Sequence, residues 1–148
     1  MRISDILGAK GADVVHIGPD APVRALVALL RAHNLGAVVV STDGRTIAGI
    51  VSERDVIRQL ADGADVLDQP VRSVMSADVH RSTPHDSVRS VMETMTERRV
   101  RHVPVVDEQD RLVGIVSIGD LVKSQISELE FERDQLEGYV SGAGAGHG

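Results

Sequence analysis

The sequence predicts an α/β (α+β) fold in which two similar units each run strand, helix, strand, strand, helix. Three observations support this prediction. A shift of 65 residues overlays Val14–Arg58 on Val79–Lys123 without a gap, which is the signature of an internal repeat. Within each unit, apolar residues recur first at helical and then at strand spacing. The chain of 148 residues is 42% hydrophobic but only 1% aromatic, so its core must consist of aliphatic side chains, which suit buried strands.

The first half of each unit is a strand followed by a helix. The strands are predicted at Val14–Ile17 and Asp78–Ser82, and a turn that contains a proline follows each of them. The helices are predicted at Val23–His33 and Val88–Arg98, because apolar residues in both segments return every three or four positions.

The second half of each unit is a hairpin followed by another helix. The hairpin strands are predicted at Ala37–Val40 with Ile47–Val51 in the first unit, and at His102–Val106 with Leu112–Val116 in the second. The closing helices are predicted to begin near Glu53 and near Ile118.

The repeat divides the chain into parts. We predict a first repeat at 1–62, a linker at 63–70, a second repeat at 71–125, a C-terminal helix at 126–140 and a disordered tail at 141–148. One unit is too small to bury an adequate core alone. The two are therefore expected to pack through their sheets with pseudo-twofold symmetry and to leave a cleft, which is a common place for ligands. Outside the main overlay, Ile3–Leu7 also resembles Val71–Met75.

Composition disfavours several classes of function. The net charge of −6 and the scarcity of aromatic residues disfavour nucleic-acid binding. The chain has no cysteine, which excludes disulfides and thiolate chemistry. Its six histidines lack a paired metal-ligand spacing and no nucleophile motif occurs, so we expect neither a metal nor catalytic residues. No segment resembles a signal peptide or a membrane span, so we expect a cytoplasmic protein without membrane partners.

The most specific local pattern is Gly-Ile-Val-Ser-x-x-Asp, which occurs at Gly49–Asp55 and again at Gly114–Asp120. It has two interpretations that do not exclude each other. In the structural one, the serine and the aspartate form a capping box at a helix N-terminus. In the functional one, backbone N–H groups and the serine bind a phosphate, the aspartate binds ribose hydroxyls, and the glycine leaves room for a ligand. The duplication of the pattern favours the functional interpretation.

With Val103–Asp107 standing before Leu112–Val116, the two units resemble a CBS-domain pair, also called a Bateman module. The segments Ser52–Arg58 and Ser117–Lys123 are similar to bacterial stand-alone CBS-pair proteins in particular. The resemblance implies a homodimeric regulatory module that is not an enzyme and has no obligatory cofactor. It also implies binding of AMP, ADP, ATP, NAD(H) or S-adenosylmethionine between the repeats, in response to energy or redox state.

The resemblance implies two nucleotide sites, with the aspartate on the ribose, the serine on a phosphate and the isoleucine beside the adenine. One site would be formed by Asp120, Ser117, Ile115 and His102, closed by Leu35 and Gly36. The other would be formed by Asp55, Ser52, Ile50 and Arg54, with Val100 and Arg101 reaching in from the second repeat. Ala37 and Gly36 stand where the second repeat has His102 and Arg101, so the two sites are expected to differ in preference.

Three arginines at the end of the second unit's first helix differ in their expected roles. All three, Arg98, Arg99 and Arg101, could form a phosphate cluster. Arg101 is expected to contact a phosphate, whereas Arg98 and Arg99 are more simply explained as residues that favour a helix C-terminus.

The segment Val122–Val140 has a heptad-like apolar seam that Arg133 interrupts. The seam consists of Val122, Ile126, Leu129, Leu136 and Val140. This pattern fits two arrangements equally well, namely a helix that pairs with a second copy of the chain and a helix that packs on its own domain.

Two other functions compete with nucleotide sensing. The chain could be a structural or interaction dimer whose nucleotide sites are vestigial. It could also be a binder of S-adenosylmethionine that regulates a separate enzyme or transporter, with an unknown protein partner.

Overall fold

The computed structural model describes residues 1–10 and 14–144, a mixture of helices and strands arranged as two tandem repeats. The helices are α1 (Ile3–Lys10), α2 (Val23–His33), α3 (Glu53–Leu60), α4 (Val88–Arg98) and α5 (Ile118–Gly144). The strands are β1 (His16–Ile17), β2 (Ala37–Val40), β3 (Gly49–Ser52), β4 (His102–Val106) and β5 (Leu112–Ser117). Two short 3-10 helices, Ala64–Asp68 and Val71–Ser73, connect the repeats.

The two sheets differ in their first strand. In the first repeat, β1 pairs in parallel with β2, which pairs antiparallel with β3. In the second, β4 pairs with β5, and the predicted strand at Asp78–Ser82 is reduced to one bridge between Ser82 and Val105. Pro104 explains why this strand is shorter than predicted. It occupies the position of Val39 and has no N–H to donate to the segment before Ser82.

Helices α2 and α4 occupy the predicted spans, and both end on a residue in the left-handed conformation. That residue is Asn34 after α2, with φ 53°, and Arg99 after α4, with φ 56°. Asparagine adopts this conformation readily, whereas arginine does so at a cost. The backbone plan of the second repeat therefore holds Arg99 in a conformation that its own side chain does not favour.

Each repeat has an aliphatic core, and a third cluster joins them. Val23 and Leu26 of α2 are fully buried in the first core, and Leu121 and Met95 are buried in the second. The joining cluster consists of Val39, Ile47, Val106 and Leu112, with Val14, Val79 and Ile115 packed against it. The two sheets thus meet through aliphatic side chains, as the composition predicts.

The segment at the start of each repeat packs on the other repeat. Ile3 and Ile6 of α1 are buried in the core of the second repeat, and Val71 and Val74 are buried in the core of the first. Their backbone hydrogen bonds correspond as well. The N–H of Ile3 donates to the carbonyl of Asp86 at 2.9 Å, and the N–H of Val71 donates to that of Ala21 at 2.8 Å. The similarity of Ile3–Leu7 to Val71–Met75 therefore marks two equivalent crossing segments.

The crossing segments explain the glycine of the repeated motif. A Cβ on Gly49 would lie 2.7 Å from Sδ of Met75, and one on Gly114 would lie 2.4 Å from Cδ2 of Leu7. These glycines therefore leave room for a side chain of the crossing segment and not for a ligand, which corrects the expectation from the sequence.

Helix α5 runs without a break from Ile118 to Gly144. It passes through the predicted boundary at residue 126 and through the first residues of the predicted tail, because no proline interrupts it. Residues 145–148 of that tail lie outside the described residues. In the part of the chain that the structure describes, no helix is both long and apolar enough to span a membrane.

Candidate functional site

Both copies of the repeated motif form a capping box at the start of a helix. In the first, the N–H of Ser52 donates to Oδ2 of Asp55 at 2.8 Å, and the N–H of Asp55 donates to Oγ of Ser52 at 3.3 Å. In the second, the N–H of Ser117 donates to Oδ2 of Asp120 at 2.9 Å, and the return bond is 3.1 Å. The structural interpretation of the motif is therefore correct in both repeats.

The capping interactions limit what the start of α3 has left to offer a ligand. The N–H of Glu53 donates to the carbonyl of Gly36 at 2.9 Å, so it is committed in addition to the N–H groups of Ser52 and Asp55. The hydroxyl of Ser52 also donates to Oδ2 of Asp55, at 3.0 Å. A phosphate at this place would therefore depend mainly on side chains, and a ribose hydroxyl would approach Oδ1 of Asp55.

A cleft of about 270 Å³ lies at the start of α3, where the two repeats meet. The first repeat contributes Gly36, Ala37, Ile50, Ser52, Glu53, Arg54, Asp55 and Arg58 to its walls. Beyond the first repeat, Ser76, Arg99, Val100, Arg101 and His102 complete them. We call this the Asp55 cleft. Apolar and charged groups are both present in it, as in most sites for small organic anions.

The Asp55 cleft brings together most of the residues that the sequence singled out. The eight that line it are Gly36, Ile50, Ser52, Arg54, Asp55, Val100, Arg101 and His102. Four lie elsewhere. Ser117 and Asp120 form the second capping box, Leu35 packs against the core of the first repeat, and Ile115 packs against the cluster between the sheets.

Gly36 and His102, which were expected at the Asp120 site, are also part of the Asp55 cleft. A Cβ on Gly36 would lie 3.4 Å from Cε1 of His102. His102 is also the strand partner of Ser117 across β4 and β5. These two residues therefore lie at the junction of the repeats, next to both capping boxes.

Sequence reasoning missed two cationic residues of the cleft. Arg58 follows Arg54 by one helical turn, so the i, i+4 spacing on α3 was the signal that could have found it. Arg99 was weighed as part of a phosphate cluster but assigned to a helix C-terminus, and it lines the cleft beside Val100. Its left-handed backbone turns the chain from α4 toward β4, and no local pattern in the sequence indicates that turn.

Comparison with known proteins shows similarity to one family and to many individual proteins, among them the following. The sequence profile of the family described as CBS domain matches residues 3–62 and 71–127. A CBS-domain-containing protein from Agrobacterium tumefaciens is 43% identical, with a TM-score of 0.80 over 84% of this chain and 99% of its own. The protein YhcV of Bacillus subtilis is 32% identical over 126 residues, which are 84% of this chain and 88% of that protein.

The third relative was solved with a ligand. A CBS domain protein from Pyrobaculum aerophilum, complexed with AMP, is 29% identical with a TM-score of 0.73. The alignment covers 81% of this chain and 89% of that one. The profile matches to the present chain include both crossing segments as well as both repeats.

Proposed function

The chain belongs to the CBS-domain family, and we propose that it is a non-catalytic regulatory module that binds an adenine nucleotide in the Asp55 cleft. The observation that supports this proposal most is the cleft itself. It joins Ser52 and Asp55 of one repeat to Arg101 and His102 of the other, so a bound ligand would contact both repeats at once. A ligand that bridges two units in this way changes the stability of their junction, which is the physical requirement of a sensor.

Each part of a nucleotide has a matching group in the cleft. The apolar side chain of Ile50 would lie against the adenine, Oδ1 of Asp55 would accept a ribose hydroxyl, and Arg101 would donate to a phosphate. The AMP complex of the Pyrobaculum aerophilum relative supports this class of ligand. The family resemblance adds ADP, ATP and NAD(H), and with them a response to energy or redox state.

We place a second, weaker site at the other capping box, where Ser117 and Asp120 stand with Ile115 on the preceding strand. Gly36, which was expected to close it, and His102, which was expected to face its phosphates, line the Asp55 cleft. The Asp120 site therefore shares these groups with its neighbour and is expected to have the lower affinity.

Thermal denaturation with added adenosine, AMP, ADP, ATP, NAD⁺, NADH or S-adenosylmethionine tests the proposal. A ligand that binds only the folded chain stabilises it by about 2.7 kcal/mol at a hundredfold excess over its dissociation constant. Asp55→Asn keeps the size of the side chain but removes its charge, and is expected to reduce the shift. Asp120→Asn is the matched control and is expected to reduce it less.

Each result of this experiment has a clear meaning. If no adenine compound stabilises the wild-type chain at millimolar concentration, the proposal is wrong and a dimer with vestigial sites is favoured. If only S-adenosylmethionine stabilises it, the ligand class is that of a regulator of a separate enzyme or transporter.

The chain is also proposed to be a homodimer, because α5 leaves three central residues of its seam exposed. Ile126 is 51% exposed, Leu129 is 61% exposed and Leu136 is 66% exposed, and their heptad-like spacing suits pairing with an identical helix. Sedimentation equilibrium is expected to give about twice the chain mass of 15.8 kDa. Leu129→Lys is expected to give monomers, whereas Phe131→Lys, on the opposite side of α5, is not. A wild-type monomer at tens of micromolar would contradict the proposal.

A further inference from the structure

Four arginines converge on the Asp55 cleft from three places in the chain. Arg54 and Arg58 lie on α3, Arg99 follows α4, and Arg101 precedes β4. Binding one phosphate accounts for one or two guanidinium groups, because each can donate two parallel hydrogen bonds to it. The number of arginines therefore exceeds what a nucleoside monophosphate needs.

Within residues 1–10 and 14–144, the four arginines of the cleft have no carboxylate partner of their own, a property that they share with exposed arginines such as Arg98 and Arg111. Elsewhere arginines pair with nearby acids, as in Arg24–Asp68, Arg72–Asp20, Arg81–Asp110, Arg89–Glu93 and Arg133–Glu137. The chain has 22 acidic against 16 basic residues, so acids to neutralise the cleft are not scarce.

The acids that do line the cleft leave it positive. Glu53 and Asp55 are the two acidic residues among its walls, against four arginines, which gives a formal charge of +2 with His102 neutral. Oδ2 of Asp55 is already bonded to Ser52. Like charges held in one concave surface repel each other, and a polyanion relieves that repulsion.

The equivalent positions of the other repeat lack this concentration of charge. A shift of 65 residues relates Arg54 to Gly119, Arg58 to Lys123, Arg99 to Asn34 and Arg101 to Gly36. Only Lys123 keeps a cation. The arginine cluster is therefore a property of one cleft and not of the repeated backbone plan.

From these observations we propose that the Asp55 cleft selects polyphosphorylated nucleotides, with a nucleoside triphosphate preferred over a monophosphate, and that it binds one per chain. This inference rests on the proposed function and specifies its ligand. The terminal phosphates contact Arg58 and Arg99, which a monophosphate does not engage. Selectivity falls as salt rises, because the arginines are exposed and screening weakens their attraction for phosphate.

Calorimetric titration of adenosine, AMP, ADP and ATP into the full chain, in EDTA at matched ionic strength, tests the proposal. Charge-assisted hydrogen bonds from two further arginines lead us to expect ATP to bind at least about tenfold more tightly than AMP. Arg99→Asn introduces the residue that the first repeat uses at this left-handed position, so the fold is retained while the charge is lost. Arg98→Ala removes a neighbouring charge outside the cleft and is the matched control.

The expected result is that Arg99→Asn weakens ATP about tenfold, leaves adenosine unchanged and abolishes most of the preference over AMP, while Arg98→Ala changes nothing. Arg58→Gln gives a second measurement on another element, with the same expectation. The inference is overturned if wild-type chain binds AMP as tightly as ATP, or if Arg99→Asn weakens adenosine and ATP equally. In those cases the proposed function stands. If no adenine compound binds at all, both fail.

Discussion

The first and second repeats use the same backbone plan but present different side chains at their junction. In both, a helix ends on a left-handed residue, at φ 53° and 56°, and the next helix begins with a capping box. The N–H of Glu53 donates to Gly36 and that of Ile118 donates to Arg101, at 2.9 and 2.8 Å. The residues that would contact a ligand's phosphates differ between the repeats. Four arginines line the Asp55 cleft, and of the equivalent positions in the other repeat only Lys123 has a cation.

This difference distinguishes the residues that stabilise the fold from the residues that we propose to determine ligand preference. The repeated motif Gly-Ile-Val-Ser-x-x-Asp fulfils structural requirements in both repeats: its glycine admits a crossing side chain, and its serine and aspartate cap a helix. In the proposed binding mode, ligand preference depends on positions outside that motif or between its fixed residues, such as Arg54, Arg58 and Arg99. Substitutions can therefore alter one property and leave the other in place.

The largest effect on stability is expected at the two motif glycines. An added Cβ on Gly49 meets the backbone oxygen of Ser76 as well as Met75, each at 2.7 Å, whereas one on Gly114 meets only the side chain of Leu7. A side chain can rotate away more easily than a backbone can shift. Gly49→Ala is expected to lower the free energy of unfolding by about 1–3 kcal/mol, and Gly114→Ala by less. Urea denaturation of both variants measures this, and the reverse order would contradict it.

Arg101→Ala tests whether the junction recognises phosphate. Arginine is always charged, and a hydrogen bond to a charged group contributes about 1.5–3 kcal/mol, so AMP is expected to bind on the order of tenfold more weakly. Adenosine has no phosphate and is expected to bind nearly as before. Arg111→Ala, which removes an exposed arginine of the same repeat outside the cleft, is the control. Equal losses for AMP and adenosine would make Arg101 a solvated residue at a strand end.

The two capping serines are expected to differ in function and not in stability. Ser52→Ala and Ser117→Ala each remove a helix cap and are each expected to cost about 1 kcal/mol of unfolding free energy. Ser52 lines the Asp55 cleft and Ser117 does not, so Ser52→Ala is expected to weaken nucleotide binding more than Ser117→Ala. Thermal denaturation and calorimetry on the same samples separate the two effects. A loss of affinity in Ser117→Ala as large as that in Ser52→Ala would show that the clefts are equivalent.

The smallest effects on stability are expected at Asp43 and Asp86, two aspartates in turns at non-equivalent positions of the two repeats. Backbone hydrogen bonds from Thr46 and Arg45 hold the pKa of Asp43 well below its ordinary value. Burial raises the pKa of Asp86, but hydrogen bonds from Thr83 and Ser82 outweigh burial and lower it. A lowered carboxyl pKa stabilises the fold above the ordinary value of 3.8, and that stability is lost as the pH falls through the folded-state value.

Asp86→Asn and Asp43→Asn are therefore each expected to reduce stability at neutral pH and to flatten its dependence on pH below about 4. Urea unfolding at several acid pH values provides the measurement. Unchanged slopes in both variants would mean that neither turn depends on an ionised aspartate.

Local patterns were sufficient for most elements of the fold. Helices α2 and α4 were predicted at their observed bounds, because apolar spacing and the turns before them are encoded locally. The strand predicted at Asp78–Ser82 failed, because its pairing depends on Pro104 in a strand more than twenty residues away. The packing partner of α1 was likewise hidden, since similarity between two segments does not say which repeat each one contacts.

The residues of the cleft could be predicted where they belong to the repeated motif, but not where their position depends on how the chain turns between α4 and β4. Ser52 and Asp55 follow from Gly-Ile-Val-Ser-x-x-Asp, and Arg101 follows from the resemblance to a CBS-domain pair. Arg99 reaches the cleft only because a non-glycine residue adopts the left-handed conformation after α4. Gly36 and His102 were assigned to the Asp120 site and also line the Asp55 cleft, because residues at a symmetry junction adjoin both sites; their role at the Asp120 site stays a prediction.

The crossed packing of α1 and Val71–Met75 makes each repeat incomplete by itself. A single repeat expressed alone would expose a glycine-lined slot and a set of backbone acceptors that only its counterpart fills. Two separate copies of one repeat could satisfy each other by exchanging these segments. The order of the repeats along the chain is then immaterial to the packing, so a circular permutant that begins just before Val71 and joins α5 to Met1 through a flexible linker is expected to reach the same fold.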